Sequence, residues 1–398
     1  MMYEKLVVQP EDPILGIPPL FRADTRPFKV NLGIGAYQDE HGVPVVFDAV
    51  RQAEEFLLTQ KLDKEYLPIS GDAAFCEAVA RLIFGEKALC IEEKRLVTLQ
   101  TIGASGALRL GGELLKECGV SKIYLPETTW SNHRALLSRA GLQLESYPYY
   151  DLSTHSILFD RLCEAISEIK EQSAVLFQAS CHNPAGCDLT EEQWRVLSEI
   201  FKANRQIIPF FDIAYQGLGR GLDEDAYGVR LFAKEHAPLV TASFAKNFGL
   251  YGERMGILSV VLPEADQFQA VLSNLKQLVR GNYSTPPLQG ARIIKTILNT
   301  PELYQVWVNQ LTSIRQRLQT MRDALFSQLS QGCATKDFSF IQRDKGFFSL
   351  TGLTKEQVLW LRKEKAIYLL ESGRMNVAGL NHDTIAWVVS GILEAFQK

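Results

Sequence analysis

The sequence predicts an α/β protein built on a parallel sheet covered on both faces, with a second, smaller α/β unit. Two observations lead there. Short, almost wholly apolar runs alternate with helical patterns through the middle of the chain. From about Pro301 the pattern changes to one long helix and then a β-containing tail. Strands that are apolar on both sides must be buried on both sides, and the helical crossovers between parallel strands supply that cover. A chain of 398 residues is long enough for two such units.

The elements follow in order. The first 45 or so residues, including Val30-Asn-Leu-Gly-Ile-Gly, are strand-and-turn material assignable to either unit. Arg95-Leu-Val-Thr-Leu-Gln is a strand, followed by Gly103-Ala-Ser-Gly and a helix through Leu108, Leu114 and Leu115. Lys122-Ile-Tyr-Leu-Pro and Ala174-Val-Leu-Phe-Gln are the next strands. Thr190-Glu-Glu-Gln is a capping box that opens a helix with Trp194, Leu197, Ile200 and Phe201 on one face. Ile207-Ile-Pro-Phe-Phe-Asp has no polar residue before Asp212. Pro238-Leu-Val-Thr-Ala-Ser-Phe and Gly256-Ile-Leu-Ser-Val-Val-Leu complete the strand set. The long helix carries Leu311, Ile314, Leu318 and Met321, and the tail offers Gly346-Phe-Phe-Ser-Leu and Ala366-Ile-Tyr-Leu-Leu.

Composition narrows the function. The net charge of −4 argues against a nucleic-acid or anionic-membrane partner. No segment approaches the roughly 20 apolar residues of a spanning helix, and the N-terminus lacks a signal-like apolar stretch. Seven scattered cysteines without Cys-x-x-Cys point to reduced thiols in a cytoplasmic protein. The six histidines form no His-x-x-x-His, so no metal is expected.

In sheets of this kind functional residues gather at the carboxyl ends of strands. Lys246 stands at such an end, in Ser243-Phe-Ala-Lys-Asn-Phe-Gly-Leu-Tyr-Gly-Glu-Arg254. An amine flanked by a hydroxyl and a guanidinium suits a carbonyl compound that carries a phosphate, of which pyridoxal phosphate is one. The Gly103 loop opens a helix whose N-terminus favours an anion. Asp212 is either a satisfied buried acid or N-cap, or the partner of a protonated pyridine nitrogen. Asn183, in Cys181-His-Asn-Pro, is either a plain turn residue or a donor to a ring oxygen, a role Tyr215 could share. Trp130 is either packing or a stacking surface for a heteroaromatic ring, and His133 could orient Asp212. Arg280 and Arg374 sit among Gly, Ser, Asn and apolar residues, where two guanidinium forks could grip two carboxylates.

Rival motifs fall short. Ser243-x-x-Lys246 lacks the companion motifs of penicillin-binding enzymes, and Gly103-Ala-Ser-Gly-Ala lacks the last glycine of a nucleophile elbow. Gly217-Leu-Gly-Arg-Gly misses the dinucleotide spacing, and no Gly-x-x-x-x-Gly-Lys loop is present. A class I aldolase needs a Schiff-base lysine but no phosphate cradle with a ring-nitrogen carboxylate.

Taken together, these motifs resemble the class I aminotransferases of the aspartate and aromatic amino acid type. The likeness runs from Asp12-Pro-Ile-Leu-Gly through Asn31-Leu-Gly-Ile-Gly, Cys181-His-Asn-Pro and the Lys246 segment to Ser372-Gly-Arg. It implies fold type I, with a mostly parallel seven-stranded sheet. It implies an N-terminal arm over 1–12, a small domain over 13–45 and 313–398, and a large cofactor-binding domain over 46–312. Lys246 would carry pyridoxal 5'-phosphate as a Schiff base, with Asp212 on the pyridine nitrogen. Tyr215 and Asn183 would meet the ring oxygen, and Trp130 would stack. Gly103, Ala104, Ser105, Ser243 and Arg254 would hold the phosphate, with Tyr66 reaching that of a neighbouring subunit in a homodimer. Arg374, near Gly35 and Asn183, would bind the α-carboxylate, and Arg280 would bind the distal carboxylate across the interface. The expected reaction moves the amino group of aspartate or glutamate to a 2-oxo acid by a ping-pong course. A broad aromatic aminotransferase is the alternative, and a catalytically silent relative is the remote one.

The chain departs from that pattern at Ala36, Gln38, Glu65, Ala104, Ser105, Ala185, Thr285 and Glu371. Several of these positions would surround the substrate entrance, so the cofactor roles stand while strict aspartate preference stays open.

Overall fold

The computed structural model describes residues 2–398. The chain forms two compact units, one of residues 45–319 and 343–346, the other of residues up to 44, 320–342 and 347–398.

The larger unit is organised by one seven-stranded sheet. Its strands in chain order are β1 (Leu96–Ile102), β2 (Lys122–Pro126), β3 (Gln143–Tyr147), β4 (Ser173–Gln178), β5 (Ile207–Ile213), β6 (Leu239–Ser243) and β7 (Met255–Val261). Across the sheet they run β1-β7-β6-β5-β4-β2-β3. All pair in parallel except β7, which is antiparallel to both β1 and β6. Six of the seven were expected from their apolar runs. β3 was not, because Gln-Leu-Glu-Ser-Tyr at the sheet edge buries only Tyr147 fully. An edge strand with one covered face leaves little hydrophobic signal.

Burial explains the other strands. β6 and β7 are buried at every position, and β5 at all but one. One face packs Leu108, Leu114, Leu176, Phe210 and Leu258 together with the helix α1 (Gly103–Glu117). On the other, Phe177 and Phe211 meet Trp194 of α2 (Glu191–Ala203), with ring centroids 5.5 Å apart in both pairs. Removing each such side chain from water contributes roughly 1.5–3 kcal/mol. α2 starts where the sequence said it should. Thr190 Oγ1 accepts the Gln193 N–H at 3.2 Å and Gln193 Oε1 accepts the Thr190 N–H at 2.9 Å.

Register places the functional row. Gln178 pairs with Asp212, and Asp212 pairs with Thr241, across three neighbouring strands at the carboxyl edge of the sheet. Gly256 of β7 lies between Ser243 of β6 and Thr101 of β1.

The smaller unit has its own core, in which Val30, Leu32, Leu325, Phe338, Ile367, Met375, Val388 and Ile392 are buried. Val30–Asn31 pairs in parallel with Ile367–Tyr368, and Phe348–Leu350 pairs antiparallel with Arg374–Asn376. The long helix expected from Pro301 is Pro301–Gly332. Among the described residues, no helix is long and apolar enough to cross a membrane.

Candidate active site

An anion cradle forms where β1 gives way to α1. The chain turns at Gly103 with φ +63°, a left-handed conformation open to glycine. Its N–H donates to the Arg254 carbonyl at 2.7 Å. Arg254 itself sits at φ +56°, which costs about 1 kcal/mol or more in a side-chain-bearing residue and is held by that bond. The Arg254 guanidinium lies against Gly103, where a Cβ would come within 2.6 Å of Nη2. At Gly256 a Cβ would stand 2.4 Å from the Gly103 carbonyl carbon and 2.8 Å from the Ala104 nitrogen. Gly256 therefore lets the first turn of α1 approach the strand that carries Ser243. The first turn of α1 and the Arg254 guanidinium meet here, a pairing suited to a phosphate.

Asp212 is buried, with only 5% of its surface exposed. Its Oδ2 lies 3.0 Å from His133 Nε2, and its Oδ1 is 3.2 Å from the Thr241 hydroxyl. His133 is wholly enclosed, and its Nδ1 meets the Thr129 hydroxyl at 2.8 Å. The Trp130 ring stands edge-on to His133, with centroids 5.2 Å apart. A buried carboxylate calls for a cation. A protonated pyridine nitrogen supplies one.

Lys246 follows β6 by three residues, and its Nζ is 5.0 Å from the centre of the buried Tyr215 ring. Asn183 is held by its backbone. Its N–H donates to Gln178 Oε1 and its carbonyl accepts from Gln178 Nε2, both at 2.9 Å. The preceding N–H groups, of Cys181 and His182, donate to the Asp188 carboxylate at 2.7 and 2.9 Å. Burial pushes Asp188 up to about 6. Burial, with His133 nearby, pushes His182 down to about 3. The loop after Tyr215 is pinned likewise, with the Gly217, Gly219 and Arg220 N–H groups donating to buried Asp225.

Two further candidates are exposed on the same unit. Tyr66 is 85% exposed, and Arg280 is exposed in the last turn of the helix Phe268–Asn282, donating to the Ser284 hydroxyl. Their segments share an anchor, the fully buried Gln100. Its Oε1 accepts the Asp72 N–H at 3.1 Å, and its Nε2 donates to the Pro287 carbonyl at 2.5 Å.

Within the smaller unit Arg374 is buried, donates to the Gly33 carbonyl at 2.6 Å, and lies over the Phe348 ring at 4.1 Å. Gly35 is packed on the same ring, where a Cβ would meet Phe348 Cζ at 2.9 Å. Asn376 Nδ2 ties down the Ile34 and Ala36 carbonyls at 2.7 and 3.0 Å.

Sequence reasoning missed Thr129, Gln178, Asp188, Asp225, Thr241 and Gln100. The available signal was polarity inside or at the end of apolar strands, visible for Gln100, Gln178 and Thr241.

The sequence profile of the family described as Aminotransferase class I and II matches residues 27–392. The chain belongs to that family. An aspartate aminotransferase of Escherichia coli (strain K12) is 43% identical over 394 residues, covering 98% of this chain and 99% of its own length. One from Salmonella typhi is 44% identical with the same coverage. Among solved structures, the aromatic-amino-acid aminotransferase of Burkholderia pseudomallei, covalently bound to pyridoxal phosphate, is 41% identical with a TM-score of 0.95, covering 99% of both chains. The aspartate aminotransferase from Saccharomyces cerevisiae cytoplasm is 34% identical with a TM-score of 0.96, covering 100% of this chain and 98% of its own. The chain is accordingly an aminotransferase that works with pyridoxal 5'-phosphate. The residues present fit that group. The cradle at Gly256 suits its phosphate, the enclosed Asp212 suits its ring nitrogen, and Lys246 suits its carbonyl carbon.

Proposed function

We propose that this aminotransferase moves the amino group of L-aspartate or L-glutamate to 2-oxoglutarate or oxaloacetate in a ping-pong cycle, as a cytoplasmic homodimer. Two guanidinium groups suit a dicarboxylic substrate, although the Arg280 position does not by itself separate this reading from an aromatic one. Arg374 takes the α-carboxylate, its fork preset by Gly33 and Phe348 with Gly35 close by. Arg280 takes the distal carboxylate of a substrate bound by a second copy of the chain, and Tyr66 reaches that copy's phosphate. The exposure of both residues fits such a role.

Bound pyridoxal phosphate supplies the electron sink that makes the substrate Cα proton removable. The protein supplies the rest. Asp212, desolvated and bonded to His133 and Thr241, would pair with the ring nitrogen. Asn183 and Tyr215 would donate to the ring oxygen, and Trp130 would cover the ring face. Gly103, Ala104, Ser105, Ser243 and Arg254 would hold the phosphate and so position the reacting carbon. Lys246 Nζ, beside the Tyr215 ring, would hold the cofactor and then move the Cα proton of the substrate.

The test is the ratio of kcat/KM for aspartate, tyrosine and phenylalanine with 2-oxoglutarate. Aspartate should lead by about 100-fold or more, because an unfilled arginine site rejects an apolar side chain. Equal or better turnover of the aromatic substrates replaces this reading with a broad aromatic one. That reading is favoured by the aromatic aminotransferase of Burkholderia pseudomallei, at a TM-score of 0.95.

A further inference from the structure

Gln178 ends β4, directly across from Asp212. Its amide reaches three groups. Nε2 donates to the Asn183 carbonyl at 2.9 Å and lies 3.4 Å from Thr129 Oγ1, while Oε1 accepts the Asn183 N–H at 2.9 Å. A backbone carbonyl only accepts and a backbone N–H only donates, so the amide has one possible orientation.

That orientation propagates. Nε2 offers its second proton to Thr129, which accepts it and keeps its own proton for its other neighbour, His133 Nδ1 at 2.8 Å. Nδ1 is then an acceptor, and the ring proton sits on Nε2, facing Asp212 Oδ2 at 3.0 Å. The reverse tautomer would aim a nitrogen lone pair at the carboxylate. The direction of one amide thus sets whether the His133 nitrogen facing Asp212 carries the ring proton.

We propose that Gln178 is a positioning residue that acts at both ends of the cofactor ring: it clamps the Asn183 backbone and, through Thr129, fixes the proton of His133 on the nitrogen that faces Asp212. The inference rests on the assignment of Asp212 and Asn183 to the cofactor.

The control lies on the same loop. Asp188 holds the N–H groups of Cys181 and His182, and neither of those bonds involves Thr129. Loosening the loop and redirecting the relay are therefore separable.

Nitrogen-15 NMR of histidine-labelled protein tests this, with and without pyridoxal phosphate. The native protein should show His133 with a bare Nδ1 and a protonated Nε2 in both forms. The Gln178→Glu carboxylate turns an acceptor toward Thr129, so the hydroxyl reverses and Nδ1 should become protonated. Cofactor affinity should fall about tenfold, from the lost donor to the Asn183 carbonyl. Asp188→Asn should leave the His133 pattern unchanged. A protonated Nδ1 in the native protein overturns the proposal without any variant. An unchanged Nδ1 in folded Gln178→Glu overturns it too. A protein with the expected tautomer that takes up no pyridoxal phosphate refutes the cofactor assignment and leaves the relay standing.

Discussion

The floor of the candidate site and the two segments bearing Tyr66 and Arg280 are built on opposite principles. Asp212, His133 and Asn183 are buried, and each is fixed by side-chain bonds from Thr241, Thr129 or Gln178. Tyr66 and Arg280 are exposed in the single chain, and Arg280 donates to Ser284, four residues along. Groups that manage charge during a reaction need a low-dielectric, preset environment. A group that reads the end of a substrate side chain needs reach, and it keeps its hydration until a carboxylate arrives. On the proposed roles, the chemistry would sit at the sheet edge and part of the substrate choice on the Tyr66 and Arg280 segments.

The largest expected effect lies on the floor. Lys246→Ala should lower kcat by about 10^5-fold or more, as losing a central catalytic group does, with little change in thermal midpoint. Turnover within tenfold of the native enzyme would remove Lys246 from the chemistry. Asp212→Ala comes next. It should cost about 10^3-fold in kcat, because breaking one side of a buried charge pair costs about 3–5 kcal/mol. Cofactor affinity should drop with it, and near-normal activity would show that the ring nitrogen has another partner. The smallest effect, and the most selective, belongs to Arg280→Ala. Aspartate kcat/KM should fall about 100-fold while phenylalanine changes less than about tenfold. Equal losses on both would place Arg280 with the floor and erase the distinction.

The two regions also differ in how far the sequence reveals them. Asp212 shows itself because five apolar residues precede it in a strand, and Lys246 because a glycine-rich turn follows another. Periodicity reports burial, and burial delimits the sheet. It does not report which polar groups meet across the fold. His133 and Asp212 are 79 residues apart, and Gln178 and Thr129 are 49. No local pattern records those bonds. β3 escaped for the complementary reason, since a half-covered edge strand needs no apolar run. His133 was legible as a candidate only because it follows Trp130 within one turn, with the ring contact to match.

Gln100 has a consequence for how such an enzyme changes over generations. One buried amide is bonded at once to the segment that follows Tyr66 and to the one that follows Arg280. Both bonds go to backbone groups, so they place few demands on the side chains around them. Either stretch can therefore change its side chains while the glutamine between them keeps the backbone path of both.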